Sequence, residues 1–161
     1  NQSISSNSNA STTLVDGFLG LNFSRDSGLY LTVGGLYTQR EIAVSETETG
    51  TLTGLNPYAG FTYGFCGRKQ ICAIGIYVAP LVQATYAETG TETEKWQGTA
   101  TYGKISLRPQ LTNSLFLAAS IAFYSASYST KGTNASVSAV ESFQSTTVFP
   151  MIGLQYLWDS P

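Results

Sequence analysis

Residues 71–87 read ICAIGIYVAPLVQATYA. Taken two at a time, the stretch separates into two faces. One holds Ile74, Ile76, Val78, Pro80, Val82, Ala84 and Tyr86, and the other holds Ala73, Gly75, Tyr77, Ala79, Leu81, Gln83 and Thr85. Period two is the signature of a strand, and β-branched and aromatic residues suit it. The run is far longer than the usual strand of about 5–6 residues. About ten residues of tilted strand are enough to cross a bilayer.

The same alternation recurs along the chain. It predicts seven strands, over residues 12–24, 28–43, 53–65, 71–87, 95–108, 114–129 and 137–158. In 28–43, Leu29, Leu31, Val33, Gly35 and Tyr37 oppose Tyr30, Thr32, Gly34, Leu36, Thr38 and Arg40. In 53–65, Leu55, Ala59, Phe61, Tyr63 and Phe65 oppose Asn56, Tyr58, Gly60, Thr62 and Gly64. One face is greasy. The other carries small and polar residues, the tyrosines Tyr30, Tyr58, Tyr77 and Tyr124, and the charges Asp16, Arg40, Lys104, Arg108 and Glu141.

Composition supports an all-β chain. Charged residues make up 11%, against roughly 25% in ordinary soluble domains. Gly, Ser, Thr, Asn and Tyr take their place, a mixture that disfavours helix. The net charge is −2 with no basic patch, so nucleic acid is not an expected partner. There is no apolar run long enough for a membrane helix, and the polar start at Asn1 is what is expected of a processed mature protein without its signal peptide. With no histidine in the chain, the common triads and most general-base schemes are closed. No enzyme activity and no cofactor are expected.

Short and long connections alternate. Arg25-Asp26-Ser27-Gly28, Cys66 to Cys72, and Pro109 to Asn113 are tight turns. Ser45–Leu52, Glu88–Glu94 and Thr130–Ser136 are longer and polar, with acids at Glu46, Glu48, Glu88, Glu92 and Glu94. Glu48-Thr49-Gly50-Thr51 recurs as Glu88-Thr89-Gly90-Thr91, which would set two loops at one rim. A barrel with short turns at one rim and long loops at the other has this rhythm. Cys66 and Cys72 are too few for a zinc site without histidine. They fit a local disulfide formed in an oxidising compartment, with two free thiols as the alternative. Because they fall on opposite faces of regular strands, the bridge needs an irregular turn.

A soluble barrel keeps large aliphatic side chains inside and charges outside. Here no Lys or Glu interrupts the greasy face, which would be a very large exposed patch in water. Two environments suit it: lipid around a barrel, or the opposite sheet of a secreted sandwich.

The final stretch, MIGLQYLW at 151–158, ends a long alternating segment whose outward set would be Val140, Thr146, Val148, Pro150, Ile152, Leu154, Tyr156 and Trp158. It resembles the C-terminal insertion signal of small bacterial outer-membrane β-barrel proteins, with Gly153, Leu154, Tyr156 and Trp158 at the patterned positions. Met151 stands where that family usually has a polar residue, and three residues follow Trp158 where its aromatic is usually last. The resemblance implies insertion by the barrel-assembly machinery of a Gram-negative outer membrane. Short turns would then face the periplasm and the acidic loops the outside.

The expected fold is therefore an all-β, antiparallel up-and-down transmembrane barrel of about eight strands. Residues 1–11 form a polar N-terminal segment, 12–158 the barrel and 159–161 a tail. Strand 12–24 would run towards the periplasm, so one rising strand is missing from the count. The segment NQSISSNSNAS is a loop, a tail or an exchanged strand, and a strand-donating chain is a possible partner besides lipid. Pro80 and Pro150 each remove a ladder hydrogen bond, which predicts bulges there. Asp16 and Glu141 are expected to pair with Arg40, Lys104 or Arg108, since buried charges are normally paired. Arg40 would meet Glu141 near the outer rim, and Lys104 and Arg108 are expected to be solvated near the other. Three functions fit: a plugged structural or surface-interaction barrel, a narrow channel or small-molecule-binding barrel, and a secreted sandwich subunit.

Overall fold

The computed structural model describes residues 12–23, 28–43, 49–67, 71–88, 94–132 and 143–157. Their backbone builds β1 (Thr12–Asn22), β2 (Leu29–Ala43), β3 (Thr49–Phe65), β4 (Cys72–Glu88), β5 (Glu94–Leu107), β6 (Leu115–Gly132) and β7 (Phe143–Tyr156). They form one sheet in chain order, each strand antiparallel to the last. The sheet is curled into a half-barrel. It is a single sheet, so the two-sheet packing of a sandwich is not the fold. Among the described residues, β1 and β7 have one neighbour each.

β3, β4, β5 and β6 are longer than the alternation predicts at their long-loop ends. β3 begins at Thr49 and β6 continues to Gly132, because the ladders run past the apolar residues that mark the strand in sequence. Glu88 and Glu94, expected in a loop, close β4 and begin β5, with Glu88 registered on Gly50 and Glu94 on Tyr86. Backbone pairing continues there regardless of polarity, since either face of a hairpin end can meet solvent. Glu46, Glu48 and Glu92 lie outside the described residues.

The tight-turn rim has definite chemistry. Cys66 and Gly67 both take positive φ, 67° and 85°. This is the irregular turn needed to bring Cys66 and Cys72 together across faces, and the two form a disulfide with Cα atoms 5.3 Å apart. After β5, the Leu111 and Thr112 N–H groups both donate to Leu115 O, at 2.8 and 3.1 Å, and Leu117 N–H donates to Pro109 O at 3.0 Å.

The rhythm breaks on β6, where Gln97 registers on Thr130 but Gly98 on Tyr128 and Ser129 is extra, and on β4. β4 carries one more residue than either neighbour opposite Pro80 and Leu81: Ala79 registers on Ala100 but Val82 on Gly98, and the β3 pairing shifts over the same region. Both Pro80 and Leu81 point outward, and the faces exchange beyond them. Leu81 is 49% exposed while Val82 is fully buried. The expected bulge at Pro80 is present, and the expected placing of Val82 and Ala84 with Ile74 and Ile76 is corrected. A bulge absorbs the extra residue and reverses the phase of everything after it. Pro57, on β3, sits inside the same interruption. Pro150 is different. The β6–β7 register is unbroken across it, with Ile121 opposite, so no bulge forms.

Opening the disulfide frees only a short loop. Chain entropy for a separation of six residues gives about 2 kcal/mol. The double variant C66S/C72S is therefore expected to fold to the same sheet and to lose about that much stability in a urea titration monitored by tryptophan fluorescence. A loss much above it would mean that the turn organises the sheet beyond closing a loop.

Candidate functional site

The concave face forms a packed lumen. On β1 the even-numbered residues point inward, which places Asp16 there; on β5 the same parity places Tyr102 and Lys104, with Arg108 just past its end. Curling brings these strands together across the lumen. Lys104 Nζ lies 2.7 Å from Asp16 Oδ2, with the side chains 11% and 3% exposed. Tyr102 OH donates to the same oxygen at 3.0 Å, and Tyr58 OH donates to Oδ1 at 2.5 Å. The carboxylate thus accepts three hydrogen bonds, one from a cation. Such saturation is what makes a buried ion pair tolerable, because desolvation otherwise cancels its Coulomb attraction. Lys104 Nζ also sits 4.2 Å from the centre of the Phe18 ring, a cation–π contact.

Around this pair the rings of Tyr58, Tyr77 and Tyr102 form a triangle with centroids 5.0 to 5.2 Å apart. Two glycines make room for them. A Cβ on Gly34 would lie 2.5 Å from Tyr58 Cζ, and one on Gly75 would collide with the Tyr77 hydroxyl. Tyr77 OH continues into a chain through the hydroxyls of Thr62 and Thr32, each step 2.8 Å. Nearer the long-loop rim, Asn56 donates to Tyr124 OH at 3.0 Å and accepts from Gln83 N–H at 3.3 Å. Side chains with satisfied polar groups fill the space that a wide pore would need.

The predicted interior charges divide. Asp16 pairs with Lys104 as one of its expected partners. Lys104 is not solvated, because curling carries it over Asp16. Arg108 is also buried, donating to Gln155 Oε1 at 3.2 Å and lying 3.5 Å from Cys72 O. Arg40 reaches across to Ser145 Oγ on β7 at 3.3 Å; Glu141, its expected partner, lies outside the described residues. Tyr102 and Tyr128, both 2% exposed, were missed as lumen residues. The signal was available: Tyr102 shares parity with Lys104, and Tyr128 with Tyr124. At the end of β7, Leu154 and Tyr156 face outward and Gly153 inward; Trp158 lies outside the described residues.

The convex wall is zoned. Towards the tight-turn rim it is apolar on every strand, with Val15 to Phe23, Leu29 to Tyr37, Leu55 to Phe65 and Ile74 to Leu81 on β1 to β4. Ile105, Leu107, Ile121, Phe123 and Val148 to Tyr156 continue the zone on β5 to β7. Towards the long-loop rim the outward residues become polar: Thr13, Gln39, Thr53, Gln83, Gln97, Ser127 and Gln144.

The boundary between zones is oblique to the strands. Its upper edge is Val15 on β1 and Val148 on β7. Val148 registers through Phe123, Gly103, Ile76, Phe61 and Leu31 to Leu21. Leu21 lies six residues along β1 from Val15 (21 − 15), and six strand steps separate β1 from β7. Between its two edge strands the belt therefore descends by an average of one residue per strand. With a rise of about 3.3 Å per residue and about 4.8 Å between strands, this is an angle of about 35°. On β1 it runs from Val15 to Phe23 and on β7 from Val148 to Tyr156, eight residue steps each (23 − 15 and 156 − 148). At that tilt eight steps project to about 22 Å.

Comparison of the chain with protein families, curated proteins and solved structures finds no match.

Breaking the central pair without removing both charges should be severe. Lys104→Met leaves Asp16 buried beside two hydroxyls and no cation, and is expected to lower stability by about 3–5 kcal/mol. The double variant D16N/K104M removes both charges and should recover most of that loss. Chemical unfolding of the two single variants and the double closes the cycle; simple additivity would show that the pair contributes nothing as a pair.

Proposed function

We propose that this chain is a small integral outer-membrane β-barrel of a Gram-negative bacterium, its lumen plugged by side chains, with a structural or surface-interaction role through the loops of its long-loop rim. The single observation that carries this reading is the oblique apolar belt. Strands of a membrane barrel tilt by about 35–45°, and the apolar band around them is about 25 Å tall. The belt's slope of about 35° and height of about 22 Å agree with both. A belt that is level around a tilted barrel is what a bilayer demands. An apolar face that packs on another part of the protein has no reason to follow the tilt.

Other features agree with this reading. The outward side chains in the belt include none with a charge, and Ile152 at 81% and Ile76 at 70% are exposed. Water would make this wall a liability, and hydrocarbon makes it a solvent match. The Cys66–Cys72 disulfide suits an oxidising compartment such as the periplasm. The MIGLQYLW segment suits delivery by the barrel-assembly machinery. The packed lumen favours a plugged barrel over a channel, and the inner charges serve packing rather than catalysis.

A gel of the membrane fraction, unboiled against boiled, tests the reading directly. A mobility shift on heating and a strict need for detergent are the expected results; free solubility without detergent would overturn it. In planar bilayers, steady single-channel conductance should be absent, and its presence would favour the narrow channel. Charge placement gives a finer check. Ile76→Lys, in the belt, is expected to destabilise the folded barrel in vesicles by about 2–4 kcal/mol, while Thr99→Lys in the polar zone should have an effect near zero. Equal effects at the two sites would remove the belt as evidence.

A further inference from the structure

The two edges of the sheet can be read residue by residue. Phe23 N–H donates to Leu29 O at 3.2 Å, in step with the β1–β2 register. Hydrogen-bonded positions alternate along an antiparallel pair. Val15, Gly17, Leu19 and Leu21 therefore aim both backbone groups at β2, and Asp16, Phe18 and Gly20 aim theirs at the seam between β1 and β7. On the other side, Leu157 N–H donates to Ser114 O at 2.9 Å, and the β6–β7 register is continuous. Val148, Ile152 and Leu154 thus direct their backbone groups to the seam. Pro150 has the same parity. Its missing N–H is on the seam side, so the β6–β7 ladder loses nothing.

Direction and width limit what can close the seam. β1 and β7 both run from the long-loop rim to the tight-turn rim, since an odd number of alternating strands leaves its first and last parallel. A strand antiparallel to both must run the opposite way. The lumen is too narrow for a second half-barrel: Asp16 on β1 touches Lys104 on β5, and Arg40 on β2 touches Ser145 on β7. Side chains meet across the axis in this manner only when the strands number about eight. The lumen is also least covered at its edges. Lumen residues of the central strands such as Tyr77 and Ala122 are buried, whereas Leu14 and Met151 are half-buried and Phe18 is exposed.

We propose that the seam is a docking site for one β-strand supplied from outside residues 1–161. The segment it fits is uncharged, extended and about as long as the 11 residues of β1. It runs from the tight-turn rim to the long-loop rim. It turns large apolar side chains outward, in line with Val15, Leu19, Val148 and Ile152, and small ones inward over Phe18 and Met151. Residues 1–11, NQSISSNSNAS, do not supply this pattern, because Ile4 is their one large apolar residue. The outward half of the specification rests on the lipid-facing reading above. The demand for a backbone partner does not, since open edges recruit strands in water as well as in lipid.

The probe is a synthetic 11-residue peptide alternating leucine with alanine and threonine. The control is a peptide of the same composition with the alternation destroyed. The 161-residue chain, folded in detergent micelles, is followed by residue-resolved amide hydrogen exchange. Docking is expected to slow exchange at least tenfold at Asp16, Phe18, Gly20, Val148, Ile152 and Leu154. Val15, Leu19 and Leu21 should not change, and the control should have no effect. Unchanged exchange with saturating peptide would overturn the proposal. So would seam amides already protected without peptide, with sizing of the complex assigning that closure to the chain itself or to a second copy. Should the gel experiment instead show a water-soluble protein, the same exchange measurement without detergent still decides whether the seam takes a strand.

Discussion

A carboxylate held away from water, with three donors converging on it from β3 and β5, is the contact on which the shape of this molecule turns. Asp16 is on the first strand and Lys104 on the fifth, so their meeting at 2.7 Å requires the sheet to curl. Curling in turn brings tyrosines from β3, β4 and β5 into one triangle, and leaves no space for a side chain at Gly34 or Gly75. Each of these features would be out of place in a flat sheet. The ion pair does not have to stabilise the fold strongly to act this way. Buried pairs are close to neutral against apolar substitutes, but a lone buried charge is intolerable, and that asymmetry ties β1 to β5.

The inside and outside of the sheet obey opposite rules. Inside, polar groups are abundant and partnered with one another, so the lumen is dense without being greasy. Outside, apolar residues predominate over a zone whose edge crosses the strands obliquely. We propose that both rules reflect a membrane setting. Both follow if the backbone ladder satisfies the peptide groups, the lumen satisfies the polar side chains, and hydrocarbon surrounds the wall. The polar collar then begins where the hydrocarbon ends.

The strands and most of their facing were legible because period two is a strong signal when the two faces differ this much in character. On β2 and β3 each face is occupied as the alternation of Leu31, Val33 and Tyr37 against Thr32, Leu36 and Arg40 suggests. The lumen cluster was partly legible: Asp16 and Lys104 could be assigned to one face, but their meeting depends on curvature, which no local pattern encodes. For the same reason Lys104 and Arg108, which lie towards one end of their strand, looked solvated. Pro150 looked like a defect because the sequence does not say which side of a strand a missing N–H points to; the register does. The extra residue on β4 was suggested by Pro80, but its effect on Val82 and Ala84 required counting against both neighbouring strands.

That extra residue makes β4 a strand with two reading frames. Up to Ala79 the odd positions belong to the lumen, and from Val82 the even ones do. Pro80 and Leu81 are the punctuation between frames. Losing either residue would merge the frames: a single outward residue would then separate Ala79 from Val82, and Val82 and Ala84 would stay in the lumen with no bulge. The frame error is the opposite case: regular alternation carried through both Pro80 and Leu81 would put Gln83 and Thr85 in the lumen and Val82 and Ala84 outside. Swapping one side chain for another at Pro80 or Leu81 keeps the residue count, and with it the need for the bulge that holds the later positions in phase.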